Sequence, residues 1–458
     1  MIFFHIHKAS KLFFSVIRHD AVRKGRVRFL ALSVFVSYMM LSGGVHSENS
    51  EPVNTVAVSN ASQLNAALEN AFEGSRIELS PGVYTGNFQV KISVTLDCLS
   101  GVVLDGAGED NVLSVFSPNV VVSGCHIQNW GDDLTDMDAG IFVHTSAANF
   151  KAKDNTLNGI TFGIFVDHAE APQIVGNRIE GDLSIRSQDR GNGIHLFNVT
   201  GADVAGNEVF HTRDGIYIDT SNKNILRDNE LHHLRYGIHY MYSYSNELRG
   251  NYTHDTRTGY ALMQSKYLTV ENNISENDRN YGILMNYITG STIRNNDVRF
   301  VKQGVSPTGT GLINGAEGKA IFMYNSLFNE VSGNRFSGSD IGVHLTAGSE
   351  DNDIFGNTFV GNVTQVKYVA NREQDWSKDG KGNYWSDYLG WDMDNDGVGD
   401  VSYEPNDAID KLLWKYPVAR ILMNSPAIEM LRWAQRQFPV FRSPGIKDSF
   451  PLMKQVAR

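Results

Sequence analysis

Through the middle of the chain, apolar and polar residues alternate in short bursts, each led by a glycine. After Gly193, Gly215, Gly237 and Gly259 the first and third residues are apolar: Ile194/Leu196, Ile216/Ile218, Ile238/Tyr240 and Tyr260/Leu262. A period of two marks a strand with one buried face. The bursts recur, with glycines also at Gly140, Gly163, Gly282 and Gly342. Asparagines follow the same rhythm, at Asn155, Asn177, Asn207, Asn229, Asn251, Asn273, Asn296, Asn334 and Asn357. From Asn207 to Asn273 the step is 22 three times running. A repeat of this length, built of strands and turn residues, predicts an all-β solenoid: a right-handed parallel β-helix with about 22 residues per coil. Coils stacked at roughly 4.8 Å place equivalent residues in ladders. Asparagine suits a ladder because it tolerates left-handed backbone and its amide bonds the copies above and below. The glycines are expected to relieve the same strain at another corner.

Period-two geometry sends the second and fourth residue of each burst outward. These are His195 and Phe197, Tyr217 and Asp219, His239 and Met241, Ala261 and Met263. Asp219, Met241 and Met263 thus form one column, with His195, Tyr217 and His239 beside it, whereas Met285 and Met323 fall on the inward parity. Outward methionines beside histidines suit Cu(I), which favours thioether and imidazole ligands. The plainer reading is that Met241 and Met263 pack beneath a loop such as the Gly-rich insertion at 301–318. A second set, Arg213, Arg235, Arg257 and Arg279, recurs at the same step, with His211, His233 and Asp255 two residues earlier. Stacked guanidinium groups repel unless compensated. Asp214, Asp255 and Asp278 could neutralise them; otherwise the strip would meet an anionic sugar or an acidic partner protein. Two coils carry insertions, Asp182–Asn192 (with Arg186, Asp189 and Arg190) and Gly304–Gly318, the usual place for recognition loops on a solenoid.

The two ends differ from the middle. Residues 1–28 are basic, an apolar run spans Phe29–Leu41, and small residues follow near Ser47, which reads as a secretory signal over 1–47. The basic stretch is long, compatible with a start downstream of Met1, and no Arg-Arg pair favours the twin-arginine route. The whole chain has a formal net charge of −11; without residues 1–47, which hold seven Lys/Arg and one Asp, 33 basic and 50 acidic residues remain. That balance disfavours nucleic acid or anionic lipid as a partner. Export places the two cysteines, Cys98 and Cys125, in an oxidising compartment, one coil apart and within disulfide reach; two buried thiols are the alternative. A capping helix is expected from about Ser62 to Phe72, with Leu64, Ala67, Leu68 and Ala71 inward. The solenoid is expected over 48–403 and a helical tail over 404–458, with a helix from Ser425-Pro426 whose stripe includes Ile428, Leu431, Ala434, Gln435 and Phe438. Between them, Asp392-Met-Asp394-Asn-Asp396-Gly397-Val398-Gly-Asp400 matches the start of a Ca²⁺ loop, with oxygens at alternate positions and glycine sixth. The twelfth position is Tyr403, so the usual bidentate glutamate is missing, and Glu404 or Asp407 would have to replace it.

Many β-helices act on polysaccharides, and a Ca²⁺-dependent lyase or epimerase is the rival reading. Asp219 and Asp255 are the outward carboxylates available, and Arg213 or Arg235 could serve as a base. No Asn-Thr-Asp, Gly-His-Gly or Arg-Ile-Lys triplet is present. Several runs point elsewhere: Arg186-Ser-Gln-Asp-Arg-Gly-Asn-Gly-Ile-His-Leu-Phe197, His211-Thr-Arg-Asp-Gly-Ile-Tyr-Ile-Asp-Thr-Ser221, Asp278-Arg-Asn-Tyr-Gly-Ile-Leu-Met-Asn-Tyr287, Ala316-Glu-Gly-Lys-Ala320 and Gly382-Asn-Tyr-Trp-Ser-Asp-Tyr388. They resemble the NosD family, periplasmic accessory proteins for maturation of nitrous oxide reductase, over about residues 75 to 450. The 186–287 run is the specific part; Gly-Asn-Tyr-Trp occurs in many β-helices. The resemblance implies a non-enzymatic periplasmic β-helix working with the ATPase NosF and the permease NosY, to which the apolar tail would dock. It also implies the copper chaperone NosL and the reductase NosZ as partners. The residues expected to meet Cu(I) or the chaperone are then His195, His239, Met241 and Met263, with Asp219 in the same column. A mechanical clamp gripping partner proteins through the Arg and His columns remains the other form of this reading.

Overall fold

Each coil gives one long glycine-led strand and two short ones, and every strand pairs in parallel with its copy one coil on. In one such coil these are Asp214–Asp219, Ile225–Arg227 and Glu230–His232. The result is a parallel β-solenoid of three long sheets with 13, 12 and 13 strands. The computed structural model describes residues 54–303, 317–346, 348–369, 372–406, 409, 410, 414, 416, 425–437 and 445–456. The expected secretory segment and most of the Gly-rich insertion lie outside these residues. The long strands form the 12-stranded sheet, and their alternate residues fill the core: Ile216, Ile218, Ile238, Tyr240, Leu262, Met285 and Met323 are fully buried.

The asparagines form a continuous column. Each Oδ1 accepts from the backbone N–H and the Nδ2 of the copy one coil earlier; Asn251 Oδ1 accepts from Asn229 at 3.2 and 2.8 Å, and its own Nδ2 donates to Leu226 O at 2.9 Å. Such buried amides are stable only when every donor and acceptor is met. At the N-terminal end the column position passes to Cys125, whose N–H donates to Asn155 Oδ1 at 3.0 Å. A disulfide joins Cys125 to Cys98, with Cα atoms 5.0 Å apart. At the far end, Asn383 donates through N and Nδ2 to Asp448 Oδ2, at 2.7 and 3.3 Å. At each step the backbone N–H and one Nδ2 proton reach the next coil while Nδ2 also donates back to a carbonyl of the preceding one, and at the last step the Asp448 carboxylate accepts in place of a further asparagine.

The glycines leading the long strands have a different reason from the one expected. None of Gly193, Gly215, Gly237 and Gly259 has positive φ. A Cβ on Gly215 would instead lie 2.6 Å from Gly237 O, and one on Gly237 2.7 Å from Gly259 O. The column is a close backbone approach that only glycine permits. Left-handed corners are filled by other residues, among them His211, His233, Asp255 and Asn277, with φ of 59°, 55°, 54° and 57°. Asn, Asp and His tolerate that region better than most, so the recurrence of His211, His233 and Asp255 has a backbone cause.

Helix α1 spans Ala61–Asn70, one or two residues earlier than expected. Asn60 caps it by accepting from Gln63 N, and Leu64, Ala67 and Leu68 close the first coil. Phe72 lies beyond the helix and is exposed. Helix α2 spans Pro426–Gln437. Ile428 is buried beside Ile409, but Leu431, expected in the buried stripe, is exposed, as are Met430 and Trp433. Phe438 lies outside the described residues. The tail is not helical throughout. Ile446–Lys447 pairs with Gln374–Asp375, and Leu452 bridges both Tyr384 and Val398, so the last described segment closes the solenoid end. Among the described residues no helix is long and apolar enough to cross a membrane.

Candidate functional site

The 12-stranded sheet brings the outward residues together in two columns. His195, Tyr217 and His239 are register partners in succession, continuing to Ala261; alongside run Phe197, Asp219, Met241, Met263 and Asn286. Met241 and Met263 are therefore direct neighbours across strands roughly 4.8 Å apart, and His239 lies two residues from Met241 on the same face. Met241, Met263 and Asp219 are half-buried. The first column is more sheltered than outward parity implied: His239 is 7% exposed, and Ala261 is fully buried. Residues 304–316, the loop expected to cover the methionines, lie outside the described residues.

The histidines are poised rather than satisfied. His239 Nδ1 lies 3.0 Å from Asp214 Oδ2, while its Nε2 is buried without a hydrogen-bond partner. A carboxylate on Nδ1 keeps the proton there and turns the Nε2 lone pair outward, the state of a metal-binding imidazole. His195 Nε2 is likewise buried and unpartnered. Burial, helped by the charge of Arg213, pushes the His195 pKa down to about 3, so the ring is neutral. Tyr217, stacked between the two, is pushed up to about 12 by burial and by Asp219.

Asp214 is the anchor of this arrangement. Its side chain is fully buried, and Arg235 donates to both oxygens, at 2.8 and 2.6 Å. Burial alone would raise its pKa, but the bonds from His239 and Arg235 outweigh that and hold it below the ordinary aspartate value. Arg235 also stacks on Tyr236. The expected charge lattice is otherwise not formed. Asp255 accepts from His254 at 2.8 Å, and buried Asp278 accepts from Thr256 and Ser275. Burial pushes the Asp278 pKa up to about 7. Among the described residues, Arg213, Arg257 and Arg279 pair with no carboxylate, and Arg257 and Arg279 are exposed. Arg279 keeps its place above Arg257: Arg279 N donates to Thr256 O and Asn280 N to Arg257 O, as Arg257 and Thr258 do to the coil before, and the extra residue enters only ahead of Tyr281, which pairs with Thr258. In the insertion Arg190, 7% exposed, donates to Ile185 O and His211 O and pins the loop to the corner.

Around that corner the structure gathers histidines that the sequence reading only half found. His232 and His254 are register partners on the third sheet and stack at 4.8 Å. His233 adjoins them, with its Nδ1 2.8 Å from His232 Nδ1. The sequence carries this as a 22-residue step from His232 to His254, one position from the His211–His233 step. Asp219 and Asp255 are not a pair: Asp219 ends a long strand, whereas Asp255 occupies a corner.

In the acidic loop, ligand oxygens of Asp392, Asp394 and Asp396 lie within 4.8 Å of one another. Gly397, at φ 90°, makes the sharp turn, and its N–H donates to Asp392 at 2.9 Å. Asp400 accepts from Met393 N at 2.7 Å. The three carboxylates fit a hard cation with oxygen ligands. Tyr403 takes no part, because its hydroxyl donates to Asp387. The loop is tied to the solenoid end, with Met453 N donating to Gly397 O at 3.0 Å.

Comparison with known proteins places the chain. The family described as periplasmic copper-binding protein (NosD) matches residues 175–390. A Pseudomonas aeruginosa protein named probable ABC transporter binding protein NosD is 59% identical over 83% of this chain and 89% of its own. Its namesake from Stutzerimonas stutzeri is 52% identical over 94% and 96%. Among solved structures, the mannuronan C-5 epimerase AlgE6 A-module of Azotobacter vinelandii superposes with a TM-score of 0.54 at 15% identity, covering 68% of this chain and 91% of that one. PfbA, a surface adhesin of Streptococcus pneumoniae, gives 0.53 at 11%, covering 74% and 97%. An epimerase and an adhesin sharing this scaffold show the fold alone. At 59% and 52% identity to two relatives across most of its length, the chain belongs to the NosD family.

Proposed function

We propose that this protein is a periplasmic, non-enzymatic partner of an ABC-type transporter, handling Cu(I) for assembly of the copper centre of nitrous oxide reductase. The observation that carries the reading is the pairing of Met241 with Met263 beside His239, whose Nε2 is unpartnered while Asp214 holds Nδ1. Two thioethers and an imidazole form a soft donor set suited to Cu(I) as cargo; His195 and Asp219 border it. Family membership supports a role in copper traffic, and the names of the relatives support the transporter. In this reading NosF and NosY supply the ATP-driven motion, NosL delivers copper and NosZ receives it. Exposed Met430 and Trp433 on α2 are the surface expected to meet the permease. Arg257 and Arg279, exposed and without carboxylate partners, together with Arg213, His211 and His233, form the surface for an acidic protein partner. Ca²⁺ held by Asp392, Asp394, Asp396, Asp400 and the Val398 carbonyl would brace the solenoid end, as a structural ion only.

The test is Cu(I) titration of the purified protein against a competing chelator, with Met241→Ala/Met263→Ala in parallel. Binding in the wild type that weakens at least tenfold in the variant supports a carrier. Equal affinity in both removes the column from copper handling, and turnover of an acidic polysaccharide by the protein alone would replace the reading with an enzymatic one.

A further inference from the structure

We propose that the corner formed by His211, His232, His233 and His254 is a second metal site, taking a divalent transition ion, Cu(II) foremost, through the facing Nδ1 atoms of His232 and His233. It does not depend on the methionine column, which offers soft ligands for a monovalent ion; imidazole and carboxylate instead suit Cu(II) or Zn(II).

Four rings come from three successive coils. His232 and His254 occupy one strand column, while His211 and His233 occupy the left-handed corner beside it, with ring centroids 5.5 Å apart. The His232 and His233 rings are 5.0 Å apart and nearly perpendicular, at 82°. That orientation is not a stacking ladder; it aims one nitrogen of each ring at the other, 2.8 Å away. Imidazole nitrogens bind such ions at 2.0–2.1 Å, so two at a right angle stand about 2.9 Å apart. The separation already matches; loss of the shared proton and a turn of both rings toward a common point would make the pair a chelate.

The surroundings set the tautomers a metal needs. His232 Nε2 faces Glu208 at 3.5 Å, which favours the proton on that nitrogen and leaves the Nδ1 lone pair toward His233. His254 has carboxylates at both nitrogens, Glu230 at 3.3 Å and Asp255 at 2.8 Å, so it positions its neighbours rather than binding. His211 Nδ1 is buried with no hydrogen-bond partner, its nearest carboxylate being Glu180 at 3.7 Å. Its ring centroid stands 5.5 Å from that of His233 in the adjoining coil, and it completes no three-ligand group with the pair as placed. Of the surrounding carboxylates, Glu180 and Glu208 pair with Arg178 and Glu276 with Arg299, leaving Glu230 and Asp255 on His254.

The experiment is titration of the metal-stripped full chain with Cu(II), read by electron paramagnetic resonance for nitrogen hyperfine coupling. His232→Phe/His233→Asn is the probe variant. Phenylalanine extends the ring stack begun by Phe210, and asparagine accepts the left-handed backbone at 233. Both changes should keep the fold, which the unfolding midpoint checks. One nitrogen-coupled equivalent is expected in the wild type and in Met241→Ala/Met263→Ala, and its loss in the histidine variant. A nitrogen-coupled signal that persists in His232→Phe/His233→Asn, or a wild type that shows none, overturns the proposal.

Discussion

Asp214→Asn isolates the electrostatic anchor of the candidate copper site with the loss of one charge and little change in shape. The carboxylate is fully buried and receives two bonds from Arg235, with His239 Nδ1 3.0 Å away. Removing one partner of a buried ion pair usually costs ~3–5 kcal/mol. Here the Arg235 side chain is 31% exposed, so water regains part of the guanidinium and the loss should come to about 2–3 kcal/mol. The sign with pH follows from the depressed pKa of Asp214. Its contribution is present above the unfolded aspartate value of ~3.9 and is lost as pH falls through the lower folded value. Urea unfolding at pH 7 should therefore show the full difference between wild type and variant, and the gap should narrow in acid. Nitrogen NMR of His239 should lose the resonance of a fixed Nδ1–H. A variant within about 0.5 kcal/mol of wild type at pH 7 would show that Asp214 is not the anchor.

Asn251→Ala should cost about 3–4 kcal/mol in equilibrium unfolding, because it leaves Asn229 N, one Nδ2 proton and Leu226 O unpaired in the core; a loss below about 1 kcal/mol would mean that the column is not what secures the coils. Asp278 is raised to about 7 by burial, so the stability of its neutral form is complete below the unfolded value of ~3.9 and lost as pH rises through 7. The pH–stability curve of Asp278→Asn should be flatter between about pH 4 and 7, and a curve parallel to wild type would contradict this. Chelation of Ca²⁺ should lower the melting temperature of the wild type but not of Asp394→Asn, and an unchanged wild-type melting curve would dismiss the loop as a cation site.

Much of this architecture could be read from the chain because a solenoid repeats its rules locally. One coil's alternation placed Met241 beside Met263 and His195, Tyr217 and His239 in file, since each depends only on parity and period. What escaped were departures from the period. One extra residue between Arg279 and Tyr281 lengthens that coil to 23, and nothing in the arginine spacing, which stays at 22, warns of it. His232 and His254 were passed over for the neighbouring corner, where the same step occurs. Asp448 was invisible for another reason: it meets Asn383 across 65 residues of chain, and no short-range pattern reports such a contact. The burial of His239 was missed because parity gives direction along a strand, not what lies above the sheet.

The buried amide column begins at a disulfide and ends at a carboxylate, which separates the length of the rod from the chemistry of its termini. Excising or duplicating one whole coil, for instance the 22 residues from Asn229 to the residue before Asn251, would leave Cys125 and Asp448 with the same kinds of neighbours. The protein can thus be lengthened or shortened in whole turns. The same two terminators leave no unpaired amide at either end of the column for another copy to continue, so it stops within one molecule and gives no template for concatenating rods.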